Sequence, residues 1–322
     1  MEEREEISRM LARRSTLRDV AKVLVRSVST ISREVAAGSC NKYTYRAQKA
    51  QDRSVRNMRL RKAGRCLLNK NNQLKEYVYE KLRRKWSPIQ IAELVKKQYP
   101  TDITMRISHE TIYTYLYVLP RGTLKKELLS CLRQNRKHRH KQRRGVLASR
   151  KIENMLSIEE RPEEVADRII PGHWEGDLIV GRYNKSALGT LVERTTRTTI
   201  LIPVKSKSAE DVAKAFAKEV KKLPTQMKLT MTYDQGREMA QHKLFTKITG
   251  VKVYFAHPRS PWERGTNENT NGLIRQYFPK GTDFTKVTRR EVKRVQEQLN
   301  GRPRKVLEFR TPFEVFEELI NS

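Results

Sequence analysis

Asp177 in HWEGDLIVG, Asp234 in TMTYDQG and Glu268 in SPWERGTNENTNGLIRQ are three acids in a row along the second half of the chain, with thirty-three residues between the last two. Each ends or opens an element of different patterning, so a fold can bring them together. Hard divalent cations take oxygen ligands, and Mg²⁺ is usually held by one or two carboxylates plus substrate phosphates. Three converging carboxylates on a basic chain therefore suggest metal-dependent cutting and joining of nucleic acid.

The elements that must position these acids begin at Gly172. HWEGDLIVG, SALGTLVER and TTILIPVK are three short apolar runs separated by polar turns, which predicts an antiparallel meander. SAEDVAKAFAKEVKKL follows as an amphipathic helix with Val212, Ala215, Phe216 and Val220 on one side. KLTMTYD reads as a strand, MAQHKLFTKITG as a helix and VKVYFAH as another strand. This order, closed by further helices, matches a ribonuclease-H-like α/β domain. The period of two puts Glu175 and Asp177 on one strand face, so either can be the metal ligand. Asp234 ends its strand, and Gly236 is expected to let the backbone turn sharply. Glu268 shares a helix face with Asn271, Gly272 and Arg275. Taken singly, Asp177 also reads as a strand-end turn acid, Asp234 as a turn former and Glu268 as an i,i+4 partner of Arg264. Their shared order and placement favour the joint reading.

The front half is patterned differently. Residues 2–38 give three short helical stripes, the last (SVSTISREVAAG) with Ser27 as N-cap and Gly38 as stop. This describes a helix-turn-helix whose third helix enters the major groove, with Ser29, Thr30, Ser32 and Arg33 facing bases or phosphates. Val25 stands where a turn glycine is often found. A second such module is expected at LKEYVYEKLRRKWSPIQIAELVKKQYP and ISHETIYTYLY, with Pro88 in a first turn, Ser108 as N-cap, and His109, Glu110, Thr111 and Tyr113 on or near the reading helix. The run LRQNRKHRHKQRRGVLASR, with eight basic residues and no acid, is expected to neutralise phosphates without reading sequence, through Arg136, Lys137, Arg139, Lys141, Arg143 and Arg144.

Charge agrees with this division. The formal charge is +32 over 322 residues; residues 1–150 carry 37 basic and 13 acidic side chains, and residues 151–322 carry 31 and 23. Such an excess is the footprint of a phosphate-binding protein. Cys40, Cys66 and Cys131 are odd in number and lack paired spacing, which argues against a disulfide framework or a cysteine-rich zinc site. No apolar run approaches the ~18 residues of a membrane span, and the acidic start is no secretory signal. A soluble, intracellular protein without membrane partners is expected.

HWEGDLIVG, TYDQGREMAQH, HPRSPWERGTNENTNGLIRQYFPKGTDF and LNGRPRKVLEFRTPFEVF, with EEREEISRML and STISRE near the start, resemble bacterial insertion-sequence transposases of the IS-thirty family, within the DDE transposase and integrase superfamily. The resemblance covers nearly the whole chain. It implies Asp177, rather than Glu175, with Asp234 and Glu268 as the catalytic acids and metal ligands, and Arg275 as the basic residue that follows the glutamate. It also implies two Mg²⁺ ions, with Mn²⁺ able to substitute, and double-stranded partners, namely the element's terminal inverted repeats and target DNA. Asn267 and Asn271 are then placed to meet DNA near the cut, while Trp262 can stack on a base or ribose or, the favoured reading, wedge its loop into the core. A homodimer or higher oligomer and a nucleoid-associated place in the bacterial cytoplasm follow. Val25 and Val28 replace a glycine and a proline of the first reading motif, and His257-Pro258-Arg259 stands where Asp-Pro-His is more usual.

The architecture expected is thus α+β: helix-turn-helix modules at 1–50 and 71–131, basic linkers at 51–70 and 132–165, and a ribonuclease-H-like DDE domain at 166–322. The rival readings are a non-catalytic DNA-binding regulator and a nuclease of the same fold.

Overall fold

The computed structural model describes residues 1–38, 41–62, 67–133, 152, 154–258 and 260–321. They form two compact units, Met1–Lys75 and Glu76–Ser322.

The first unit contains α1 (Glu2–Ala12), α2 (Leu17–Val23), α3 (Val28–Gly38), α4 (Ala47–Lys62) and the single turn α5 (Leu67–Lys70). Ile7, Leu11, Val20, Ala21, Ile31, Val35, Tyr45 and Ala50 close one small core. The helix boundaries follow from local chemistry. Thr16 and Asp19 form a capping box at α2, and the Ser27 hydroxyl accepts the Thr30 N–H at 3.2 Å at the start of α3. Between α2 and α3 the Arg26 N–H reaches back to the Ala21 carbonyl at 3.0 Å. This is the six-to-one bond of a Schellman turn, which puts the preceding residue in the left-handed region. That residue is Val25, with φ 51° and 88% exposed.

The helical part of the second unit repeats the device. Helix α6 (Asn72–Arg83) leads through Lys85, φ 65°, and a Trp86 N–H bond to the Lys81 carbonyl into α7 (Pro88–Gln98), capped by Ser87 and Gln90. Helix α8 (His109–Val118) starts at Ser108, whose side chain accepts from Thr111, and α9 (Thr123–Ser130) follows. The same turn geometry in both places is why both segments read alike in the sequence.

The rest is a six-stranded mixed sheet: β1 (Leu156–Ser157), β2 (His173–Val180), β3 (Ala187–Glu193), β4 (Thr199–Pro203), β5 (Thr230–Tyr233) and β6 (Lys252–Phe255), in the order β1-β6-β5-β2-β3-β4. The strands β2, β3 and β4 are the antiparallel meander, while β5 and β6 add parallel to β2. This is a ribonuclease-H-like sheet, and the edge strand β1, parallel to β6, is too short to have left a signal in the sequence. The single turn α10 (Glu164–Asp167) precedes β2; α11 (Ala209–Lys221) and α12 (His242–Thr249) cover one face, and α13 (Gly265–Ile274) and α14 (Arg289–Asn300) the other, with α15 (Pro312–Asn321) last. One core joins Trp174, Met231 and Tyr233 to Val212, Phe216 and Phe245; the other joins Ile179, Leu188 and Leu201 to Leu273, Ile274, Val295 and Leu299.

The helices α6–α9 pack on this layer through polar groups. Arg302 is buried and donates to Gln90 Oε1 at 2.9 Å and Gln276 Oε1 at 2.8 Å, while the Tyr277 hydroxyl donates to the Arg84 carbonyl. No helix among the described residues is long and apolar enough to cross a membrane.

A β-branched residue in the left-handed region carries strain of about 1–3 kcal/mol. Val25→Gly should relieve it and stabilise the first unit by about 1 kcal/mol net of the extra chain entropy of glycine, read as slower amide exchange across α1–α3 in the intact chain. Unchanged or faster exchange contradicts the strain.

Candidate active site

Strand β2 sorts its residues by parity. Trp174, Gly176 and Leu178 turn toward α11 and α12, whereas Glu175, Asp177 and Ile179 turn toward α13. Gly176 admits no side chain, because a Cβ would lie 2.7 Å from the Tyr233 ring. The two acids on the α13 face have separate fates. Glu175 is 0% exposed; one oxygen accepts from Arg194 Nη1 at 2.9 Å and the other from the Asn267 N–H at 2.8 Å, in the first turn of α13. The Asn267 side chain returns a bond to the Glu175 carbonyl at 3.1 Å. Glu175 is thus committed to an ion pair and to holding α13 against the sheet, where its charge also suits the helix N-terminus.

Asp177, one pleat on, meets a different set of groups. Its Oδ2 accepts from Asn271 Nδ2 at 2.6 Å and its Oδ1 from the Leu178 N–H at 2.9 Å. Asp234 follows β5 directly and lies on the same side, since Met231 and Tyr233 occupy the opposite face. Arg264 ties the two together: Nη2 is 3.0 Å from Asp234 Oδ2, Nη1 is 3.8 Å from Asp177 Oδ1, and Nη1 donates to the Gly176 carbonyl at 2.8 Å. It is therefore not the i,i+4 partner of Glu268. Burial pushes Asp177 up to about 6, with Arg264 pulling it down and Asp234 raising it further.

A further carboxylate was missed by sequence reasoning. Glu238 folds back over the turn after Asp234, where a Cβ on Gly236 would lie 2.5 Å from its Oε1. Gly236 itself has φ −69° and ψ 138°, so the backbone makes no left-handed turn there, and the atoms that crowd it belong to the movable end of the Glu238 side chain. The Glu238 carboxyl is pushed up by burial, and Asp234 raises it as well. Tyr233 is fully buried beside these acids, its hydroxyl has no hydrogen-bond partner among the described residues, and burial followed by Glu238, Asp177 and Asp234 drives it upward. Three residues between two acids across a DQG turn was the available signal.

Glu268 lies on α13, three residues before Asn271, and its side chain is exposed. Among the described residues no group of three His, Cys, Asp or Glu side chains converges closely enough to hold a metal ion, so the structure brings Asp177 and Asp234 together and leaves Glu268 beside them. The donor chemistry nevertheless fits a hard divalent cation, since two carboxylates on neighbouring strands already share one cationic partner, Arg264. Arg275 closes α13 by donating to the Val180 carbonyl at 2.8 Å and the Pro279 carbonyl at 3.3 Å. Asn267 is 1% exposed and spent on Glu175, so it anchors the helix and does not face DNA; Asn271 is a partner of Asp177. Trp262 is 72% exposed: its loop does not wedge it into the core, because Arg264, two residues on, makes the inward contact.

On α3, Ser29, Thr30, Ser32 and Arg33 are all exposed, with Arg33 Nε on the Ser29 carbonyl. On α8, His109, Thr111 and Tyr113 are half-buried and Glu110 is exposed. Arg136, Lys137, Arg139, Lys141, Arg143 and Arg144 lie outside the described residues.

Glu175 and Asp177 predict opposite responses to losing charge. Glu175→Gln leaves Arg194 buried without a counter-ion and should cost about 3 kcal/mol or more. Asp177 has a folded value above its unfolded one, so its carboxyl costs nothing below about pH 4 and the cost grows as pH rises through about 6. Asp177→Asn should accordingly stabilise the chain by on the order of 2 kcal/mol at pH 7–8 without divalent metal, and by little near pH 4. Urea unfolding across this pH range checks both; a loss for each variant at pH 8 contradicts the assignment.

Comparison with known proteins agrees with this geometry. Residues 168–261 match the integrase core domain and residues 1–38 a helix-turn-helix domain. The chain is 43% identical to the transposase for insertion sequence element IS1086 of Cupriavidus metallidurans, over 99% of this chain and 94% of that protein. It is 44% identical to the transposase InsI for insertion sequence element IS30A of Escherichia coli, over 98% and 82% respectively, and 35% identical to the transposase for IS4351 of Bacteroides fragilis, over 100% and 96%. The chain belongs to the IS30 family of insertion-sequence transposases, DDE enzymes that cleave DNA and transfer its strands.

Proposed function

We propose that Asp177, Asp234 and Glu268 hold the divalent metal of this transposase, two Mg²⁺ ions with Mn²⁺ able to substitute. The carrying observation is the pair Asp177–Asp234 bridged by Arg264, Asp177 lying within β2 and Asp234 directly after the adjacent parallel strand β5. Bound there, the metal supplies Lewis-acid stabilisation of the charge that develops on the attacking and leaving oxygens.

The chain's own residues do the remaining work. Asn271 and the Leu178 N–H orient the Asp177 carboxylate, so its lone pairs are fixed before substrate arrives. The Gly236 N–H does the same for Asp234, at 3.1 Å from Oδ1. Glu268 reaches the pair from the next turn of the helix that Asn271 and Asn267 pin to β2, and its exposed side chain has the rotamer freedom to turn inward. Water, and then the 3′-hydroxyl of a cleaved element end, attacks the phosphodiester in line, with no covalent enzyme intermediate. Arg264, released from the carboxylates, is a bidentate donor suited to a phosphate at the cut.

The exposed polar face of α3 is proposed to read the terminal inverted repeats, with α8 adding a second contact and the basic segment at 136–144 neutralising phosphates. Two element ends must be handled together, so a homodimer or larger assembly is proposed, acting in the cytoplasm on the bacterial nucleoid.

The test is an incubation of the chain and Mg²⁺ with labelled terminal-repeat DNA and a target plasmid. Joined products are expected, and Asp234→Asn and Glu268→Gln should each lower joining by on the order of 10²–10³-fold while shifting the DNA as well as the unaltered chain does. Cleavage without joining would indicate a nuclease, an intact shifted probe a regulator, and unimpaired joining by Asp234→Asn would remove the assignment.

A further inference from the structure

A cavity of about 240 Å³ opens at the first turn of α13, on the side lined by Gly265, Thr266, Asn269 and Thr270 and faced by Arg168, Arg197 and Arg304. It is separate from the Asp177–Asp234 pair, and among the described residues its lining contains three guanidinium groups and no carboxylate. Two of these groups are incompletely satisfied: Arg197 Nε and Arg304 Nε are both buried and have no hydrogen-bond partner among the described residues. Arg304 is 7% exposed. Its Nη2 donates to the Leu299 carbonyl at 3.1 Å, and Arg197 Nη1 donates to Thr266 Oγ1 in the first turn of α13. Helix α13 is ten residues long, its N-cap residue Arg264 supplies no side-chain cap, and the Asn267 N–H of its first turn is already taken by Glu175 Oε2 at 2.8 Å.

Buried cations without a counter-ion are expensive. Burial, with Arg302 adding repulsion, pushes Arg304 down to about 9, and burial followed by Arg168 lowers Arg197. Glu175 is the acid nearest in effect to Arg197, but its oxygens are already committed to Arg194 and Asn267. What the cavity lacks is a compact anion with several acceptor oxygens. Guanidinium forks match the geometry of such a group.

We propose that this cavity is a phosphate-binding site, and that its occupant is a backbone phosphate of the DNA on which the enzyme acts. A phosphate held here lies against the helix that carries Glu268, so the site fixes the path of one strand past the reaction centre while reading no sequence. The inference deepens the strand-transfer reading by adding a positioning contact. It does not depend on which carboxylates bind metal.

The test is binding of a fluorescent duplex to the full chain without divalent metal, over a salt series. Arg168 is exposed, so Arg168→Gln is the variant least able to disturb folding, and Arg304→Gln removes the buried partner. Each is expected to weaken binding about threefold to tenfold and to reduce the slope of log K against log salt by about one. Lys222→Gln, a charge-matched change at the exposed end of α11, is expected to leave the slope nearly unaltered. In parallel, millimolar inorganic phosphate should raise the melting temperature of the unaltered chain and of Lys222→Gln, but not of Arg168→Gln. If phosphate stabilises the chain through Arg168 while the DNA slope is the same in every variant, the cavity takes free phosphate and the DNA assignment is overturned. If Arg168→Gln changes neither readout, or Lys222→Gln lowers the slope as much, the site itself is overturned. Since no metal is present, loss of joining in Asp234→Asn and failure of this site are distinguishable results.

Discussion

The site depends on one buried ion pair. Glu175 has no exposure, sits in the strand that carries Asp177, and divides its two oxygens between Arg194 at the end of β3 and the backbone of α13. That arrangement fixes the height and rotation of α13 along β2. Asn271 then falls on Asp177 and Arg275 on the Val180 carbonyl. A fully buried carboxylate thus sets where Glu268 stands on α13 relative to β2. An apolar pair of the same volume could fill the space, yet it could not grasp a helix N–H and a guanidinium in two directions at once.

Much of this was legible in the sequence because the relevant signals are local. The period-two runs at 173–180, 187–193 and 199–203, the amphipathic stripe of Val212, Phe216 and Val220, and the Ser and Pro positions at helix starts each specify their element without help from the rest of the fold. The two-residue edge strand at Leu156 is held only by β6, so nothing in its own residues announces it. The partition of labour between Glu175 and Asp177 was illegible for a related reason. Both share a strand face, and the difference lies in Arg194 and Asn267, which approach from distant parts of the chain. Trp262 and Asn267 were misjudged in opposite senses: the first is exposed because Arg264 makes the inward contact, and the second is buried because the helix anchor consumes it. Val25 was visible as a departure from glycine, and the left-handed turn it occupies explains why the departure matters.

The same centre concentrates electrostatic strain. Asp177 is displaced toward protonation by burial, Glu238 likewise, and Tyr233 has its hydroxyl buried beside them without a partner among the described residues. Arg264 offsets part of this cost. Across α13, Arg197 and Arg304 pose the converse problem, cations short of an anion. Negative charge thus lies on one side of the helix and positive charge on the other, which is the arrangement that the proposed metal and phosphate sites require.

The central claim is that Asp177, Asp234 and Glu268 form one metal site. It is tested most directly by anomalous diffraction from crystals of the full chain grown with Mn²⁺. Manganese density is expected to touch all three carboxylates, with the Glu268 side chain turned toward the sheet and Arg264 moved off the aspartates. Manganese bound to Asp177 and Asp234 with Glu238 as the third ligand and Glu268 still facing solvent, or no manganese at Asp177 and Asp234 at all, would contradict it.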